Sequence, residues 1–431
     1  MSYEYGSDLD IDRQKRLAWG FKANRIHRSE LVKDGAAKPG TIVTIQISKV
    51  KNEVFSPGTI KVSYKAKPVS VSDKAACFVQ NFGRAIVTEK AIKFNGKKST
   101  ELIKCDEYNL YSDLWLSKED RKSRILQGIQ EPLGLKYRIG AKKDAEGKVA
   151  LTGVTDQAKA IGIAYENIFN IPIDDEIFND AAPFCPYYIN DVITIELKLA
   201  EAKDVVLSSD KNASYEISEL TLEWDAIGYT PLAESIGNRY QTGYGVHYNR
   251  IHKLTSENYS KSKTLINVPI KESIRSLRGV LILFKDHDDE SAAACNRETF
   301  YNPEIKKVEI SINGSSNQLY ANGLYPRDLW VEARKFFQGS TNMSQPEFYH
   351  DKFALWIDTR SSIDMSLHGN GLVLDGSNTG LNLAIHKASK PQGNFSMHVY
   401  LVIDGVIEFK GGKFERICYA LGSCLEGDGN Q

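Results

Sequence analysis

The chain repeats itself half-way along. "IKFNG", beginning at Ile92, is followed by "YSDLW" and then by Gln127-Gly128; "ISING", beginning at Ile310, is followed by "YPRDLW" and then by Gln338-Gly339. Asn95-Gly96 and Asn313-Gly314 lie roughly half of the 431-residue chain apart, and so do Asp113-Leu114-Trp115 and Asp328-Leu329-Trp330. An Asn-Gly pair accepts the positive φ that a tight turn between antiparallel strands demands. The same signals in the same order predict two copies of one plan, each a set of strands interrupted by a helix.

The residues between these signals read as strands. "TIVTIQISK" (Thr41–Lys49), "DVITIELKLA" (Asp191–Ala200) and "YEISELTLEWDAI" (Tyr215–Ile227) alternate apolar and polar side chains, as half-buried strands do. "SPG" at Ser56–Gly58 is a turn, and "TIKVSYKAK" and then "RAIVTEKAIKFNG" follow it with more strands. The second half continues with "TLINVPIK", "RGVLILFK", "KKVEISING", "FALWIDTR", "GLNLAIHK", "FSMHVYLVID" and "GVIEFKGGKFERICY". Asp404-Gly405 reads as a hairpin between the last two. For the helices, Ser117 with Asp120 approximates a capping box, and Pro326 near a first turn with Gly339 beyond the end bounds the second. Many short strands with regular turns predict an all-β chain rather than a parallel sheet. The expected fold is a double jelly roll: two eight-stranded antiparallel β-sandwiches with short connecting helices. The expected units are an N-terminal arm (1–38), a first jelly roll (39–230), a second (231–420) and a disordered tail (421–431).

Composition narrows the function. Lys+Arg and Asp+Glu both number 55, and this balance argues against a dedicated nucleic-acid binder. The longest apolar runs, such as "GVLILF" (Gly279–Phe284), are far shorter than the ~20 residues that cross a bilayer. The N-terminal "MSYEYGSDLDIDRQKR" lacks the apolar core of a signal peptide, so synthesis in the cytoplasm or nucleus is expected. Cys77, Cys105, Cys185, Cys295, Cys418 and Cys424 form no CxxC pair and read as free thiols. Of the eight histidines, only His386 and His398 suggest a facing pair, and lone strand histidines are usually packing residues. "DHDDE" (Asp286–Glu290) lacks the glycine and spacing of a Ca²⁺ loop and reads as solvated. There is no GxSxG, P-loop or GxGxxG. The expectation is a structural or binding protein with no catalytic site, no metal and no cofactor.

Several segments together resemble a known family. They are "SPGTIKVSY", "VQNFGRAIVTEKAIKFNG", "YSDLWLSKEDRKSRILQGI", "DVITIELKL … YEISELTLEWDAI", "SIRSLRGVLILFKD" and "YLVIDGVIEFKGGKFERI". In this order they are similar to the double jelly-roll major capsid proteins of Polinton/Maverick elements, adintoviruses and virophages, over most of residues 40 to 420. The resemblance implies a homotrimer whose six barrels form a pseudo-hexagonal capsomer of an icosahedral capsid, assembled in the host cytoplasm or nucleus. It also implies penton and minor capsid proteins as partners. The alternative is a carbohydrate-binding or carbohydrate-hydrolysing jelly-roll protein.

Duplication inside one chain would supply six similar contacts from three subunits. The helix after each Asn-Gly turn is expected at the same place on each barrel, with Trp115 and Trp330 either packed against their own sheets or serving as anchors against a neighbour. The most aromatic non-strand segments place the trimer contact at Trp330, Phe336, Phe337, Tyr240, Tyr244 and Tyr248. Arg13, Lys15, Arg16, Lys22, Arg25 and Arg28 of the arm are expected to contact a neighbouring subunit or the inner face of the shell, where they could meet packaged nucleic acid.

Overall fold

The computed structural model describes residues 24–32, 37–69, 76–102, 106–129, 142–143, 149–150, 168–179, 184–208, 212–254, 256–287, 297–316, 320–337, 343–362, 369–376, 380–420 and 423–426. Two antiparallel barrels follow one another. The first has β1 (Asn24–Leu31), β2 (Ile42–Gln46), β3 (Lys61–Val69), β4 (Val87–Phe94), β5 (Lys97–Leu102), β6 (Ile168–Pro172), β7 (Ile193–Leu199) and β8 (Ser214–Gly228). Its sheets run β1-β8-β3-β6 and β2-β7-β4-β5. The second has β9 (Tyr244–Lys253), β10 (Leu265–Ile270), β11 (Ser273–Asp286), β12 (Ile305–Ile312), β13 (Ser315–Ser316), β14 (Ala354–Asp358), β15 (Leu381–Lys387) and β16 (Asn394–Lys410). Its sheets run β9-β16-β11-β14 and β10-β15-β12-β13. The two topologies coincide strand for strand, and the fold is a double jelly roll. Further strands extend the larger sheets: Glu53–Phe55 in the first barrel, and Glu257–Ser260, Leu372–Asp375, Lys413–Ala420 and Ser423–Glu426 in the second.

The alternating sequences explain the strands. In β2, Val43 and Ile45 turn inward while Ile42, Thr44 and Gln46 face out; in β7, Ile193, Ile195, Leu197 and Leu199 are all buried. The two Asn-Gly turns occupy equivalent places. Asn95 (φ 48°) and Gly96 (φ 79°) join β4 to β5, and Asn313 (φ 50°) and Gly314 (φ 78°) join β12 to β13.

The longer helices that connect the strands are α1 (Asp106–Leu114), α2 (Lys118–Ser123), α3 (Thr230–Thr242), α4 (Pro326–Phe337) and α5 (Gln345–Asp351). Ser117 caps α2 by accepting the Asp120 N–H at 3.0 Å, and Pro326 opens α4. The Asp-Leu-Trp echo does not carry through. It ends α1 but begins α4, so Asp113 is buried whereas Asp328 is open to solvent.

Four other expectations change. Residues 24–31 are not an arm: β1 pairs residue for residue with β8, from Asn24 opposite Gly228 to Leu31 opposite Thr221. Asp404-Gly405 is not a hairpin, because β16 runs through it and turns at Gly411 (φ 60°) and Gly412 (φ 69°). Gly405 is there for close approach: a Cβ would lie 2.5 Å from the Tyr248 ring. Ser423–Glu426 belongs to the sheet rather than to a tail, while residues 427–431 lie outside the described residues. Finally, Cys418 is disulfide-bonded rather than a free thiol.

Candidate functional site: the contact between the barrels

Helix α1 leaves the first barrel and enters the wall of the second. Tyr111, Leu114 and Trp115 belong to the second barrel's apolar core. The Trp115 ring stacks on Phe337 (5.3 Å, 8°) and meets Tyr111 (6.3 Å) and Phe348 (6.1 Å) edge-on. Tyr111 meets Phe300 (4.9 Å) and Phe337 (5.3 Å) edge-on and donates its hydroxyl to the Lys352 carbonyl at 3.1 Å. The exchange is mutual. Phe414 of the second barrel stacks on Phe94 of the first (5.4 Å, 5°), and Phe409 meets the same ring edge-on at 5.3 Å. Offset-stacked and edge-to-face rings are the arrangements that the aromatic quadrupole favours.

Charges follow the aromatics. Glu107 on α1 accepts from Lys253 Nζ (2.8 Å) and from the Tyr400 hydroxyl (2.9 Å), with His398 Nδ1 at 3.6 Å. Burial pushes the Glu107 carboxyl up, but His398 and Lys253 beside it hold it well below the usual carboxylate range. Arg121 on α2 bonds both oxygens of Glu298 at 3.2 Å, yet burial still pushes the Glu298 carboxyl up. Burial likewise raises Glu176, which accepts from Asn249 N (3.1 Å) and Nδ2 (3.0 Å) across the barrels. Behind α1, Asp113 accepts from Asn81 (2.9 Å), Gln127 (2.6 Å) and Arg84 Nε (3.1 Å). These groups are spent on each other, and the arrangement can hold two barrels in one orientation. A buried charge left without its partner is costly, so each pair resists separation.

Of the residues expected at a trimer contact, Tyr240 and Tyr248 are buried within the chain and the other four are half-buried. Tyr240 is 1% exposed, packs on Phe409 (5.3 Å) and Tyr244 (5.7 Å), and accepts the Cys185 N–H at 3.3 Å. Tyr248 is buried, and Tyr244 is half-buried. Phe336 stacks on Trp356 (3.8 Å, 18°), and Phe337 lies between Trp115 and Tyr111. Trp330 is half-buried, with Arg334 over its ring at 5.1 Å. Tyr240 and Tyr248 therefore serve the core, while Tyr244, Trp330, Phe336 and Phe337 pack against the cores and keep part of their surface open. Trp115 does brace a barrel against its neighbour, but the neighbour is in the same chain.

Of the basic residues, Arg25 Nε bonds Asp225 at 3.0 Å and Arg28 Nε bonds Glu53 at 3.0 Å, so both tie β1 to its own sheet. Arg13, Lys15, Arg16 and Lys22 lie outside the described residues. His386 and His398 sit in opposite sheets, near Glu309 and Glu107 respectively. No three His, Cys, Asp or Glu side chains meet among the described residues. A groove of about 1260 Å³ beside β9 and β16 contains Asp404 and Glu408. Asp404 is held by Ser276 (2.6 Å) and Glu408 by Arg416 (2.6 Å), unlike the free carboxylate pair that glycoside hydrolysis uses. Sequence reasoning missed Glu107, Lys253 and Tyr111. The only signal was that Tyr111 opens the echoed stretch "YSDLW".

No family model and no curated protein sequence matches the chain. Solved structures do. A chain of the PBCV-1 virus capsid is similar with a TM-score of 0.62 at 10% identity, over 93% of this chain and 98% of that one. The Faustovirus major capsid protein gives 0.60 at 9% identity, over 90% of both chains. The mavirus major capsid protein gives 0.51 at 12% identity, over 92% of this chain and 90% of that one. The similarity spans both barrels, and the chain has the double jelly-roll fold of these viral capsid proteins.

Proposed function

We propose that this chain is a viral major capsid protein, a structural subunit without catalytic activity that assembles as a homotrimer. Three copies supply six barrels to a pseudo-hexagonal capsomer, and capsomers tile an icosahedral shell with penton and minor capsid proteins. The chain then resides in the virion capsid. The observation that carries this reading is the strand-for-strand duplication locked by α1: two similar barrels are held rigidly in one chain, across the full length over which the capsid proteins are similar. Fused copies offer similar faces to different neighbours. Contact with nucleic acid falls to Arg13, Lys15, Arg16 and Lys22, since Arg25 and Arg28 are engaged within the barrel.

Light scattering of the purified protein tests the reading. A particle of about three times the 48.2 kDa chain mass is expected, with six lobes in negative-stain images. A chain that stays monomeric at all concentrations and binds immobilised glycans would refute it in favour of a carbohydrate-binding role.

A further inference from the structure

The two barrels share their strands but not what covers them. In the second barrel both faces of the larger sheet are buried. Tyr400, Val402, Leu281 and Leu283 lie on its outer face, the side on which α1 packs, and none is more than 1% exposed. In the first barrel the equivalent strand β8 alternates, with Glu216, Ser218 and Glu219 open to solvent.

Register makes the comparison exact to the residue. Just past β9, the Leu254 N–H bonds the Val399 carbonyl at 2.9 Å; just past β1, the Val32 N–H bonds the Leu220 carbonyl at 2.8 Å. Lys253 pairs with Tyr400, and Leu31 pairs with Thr221. Leu31 therefore stands where Lys253 stands, and Ser29 where Ile251 stands. Ile251 is 6% exposed, and the Lys253 side chain is 9% exposed under α1. Leu31 is 72% exposed, and Ser29 is open. An isolated exposed leucine needs no explanation. This one occupies a position that the same chain covers with a helix in its other barrel.

The second barrel also has a helix with an open side: α4 packs Phe336 on Trp356 of its own sheet and leaves its other side to solvent. Like α1, α4 lies between the hairpin of the smaller sheet and the edge strand of the larger one. Its inner side carries Leu329 and Ala333, while Arg327, Val331 and Lys335 recur every four residues on the other side. Val331 is 43% exposed, and Tyr325 at the helix start is 38% exposed. One chain thus uses the first barrel's helix and the second barrel's sheet; among the described residues, the outward side of α4 and the Leu31 side of the first barrel's sheet stay open.

We propose that these two open surfaces meet between copies: the Arg327–Val331–Lys335 face of α4 packs on β1 and β8 around Leu31 of the next copy. The partner is a second copy of this chain because the contact it would complete already exists inside the chain, with the same elements in the same roles. Such a contact is heterologous, and it forms a closed ring when its rotation closes. With two barrels per chain, three copies complete six positions, so the inference rests on the capsomer reading and names its interface.

Two variants and one cross-link test it. Leu31→Asp and Val331→Asp place a carboxylate at either side of the contact. Both positions are exposed in the single chain, so each variant should keep the wild-type circular dichroism spectrum and lose the trimer in light scattering. At least a tenfold rise in the concentration needed for assembly is expected. Combined Leu31→Cys and Val331→Cys should give, on oxidation, covalent species of two and three chains in a denaturing gel, which Leu31→Cys alone does not. A wild-type trimer whose two aspartate variants assemble normally and whose double-cysteine variant gives no such species overturns the interface and leaves the capsomer reading intact. A wild-type protein that is monomeric removes both.

Discussion

Replacing Trp115, the residue just past α1, by alanine should destabilise the chain strongly. The side chain is 4% exposed, stacks on Phe337 and touches Tyr111 and Phe348. Trp→Ala in a core typically costs about 3–5 kcal/mol, from lost transfer energy and the cavity left behind. Three aromatic neighbours place Trp115 in that range, because each ring contact adds about 0.5–1.5 kcal/mol beyond area alone. For barrels of this size, 3–5 kcal/mol corresponds to a melting shift of roughly 6–20 °C. The location predicts a further effect. Trp115 belongs to one barrel by chain and to the other by packing, so its loss should split a single unfolding transition into two. Trp330→Ala is the control: it removes the echoed tryptophan, half-buried on α4, and should cost about 1–2 kcal/mol with one transition retained. Differential scanning calorimetry and urea titration at matched protein concentration measure both. If Trp115→Ala falls within 1 kcal/mol of wild type, or Trp330→Ala costs as much, then α1 is not what joins the barrels.

Gly279→Ala should destabilise by about 1–3 kcal/mol, read as a lower urea midpoint, because its Cβ would lie 2.3 Å from Trp356 and 2.6 Å from the Ile357 carbonyl. Gly96→Ala and Gly314→Ala should each cost about 1–2 kcal/mol and agree closely, since both glycines have φ near 80° with nothing within 4 Å; unequal losses would contradict equivalent turns. The depressed Glu107 carboxyl makes an acid-sensitive contribution. Its folded pKa lies below the unfolded value of about 4.3, so its stabilisation is complete above that pH and disappears as pH falls toward the folded value. Glu107→Gln should therefore be less stable than wild type at neutral pH, with the gap closing in acid; a gap independent of pH would refute the ion-pair account.

Much of the fold was legible in the residues because it depends on local chemistry. Strands such as "ITIELKL" announce themselves by alternation, since a strand's side chains point to opposite faces in turn. The Asn-Gly turns announce themselves because few other pairs tolerate positive φ at both positions. The order of these signals was enough to predict two like barrels in one chain. Whatever depended on which surfaces meet was not legible. Gly405 looked like a turn and proved to be a packing glycine beneath Tyr248, because close approach to a distant ring leaves no mark in neighbouring residues. Tyr240 and Tyr248 looked like surface aromatics and proved to be interior ones, and Arg25 and Arg28 looked like an arm and proved to be strand residues with ion-pair partners. The Asp-Leu-Trp echo promised equal roles, yet Trp115 crosses into the second barrel while Trp330 stays on its own. The sequence by itself determined the two barrels, since alternation and turn chemistry act between near neighbours. Only the tertiary structure decided that the barrels differ in what covers them, because burial depends on residues brought together from opposite halves of the chain.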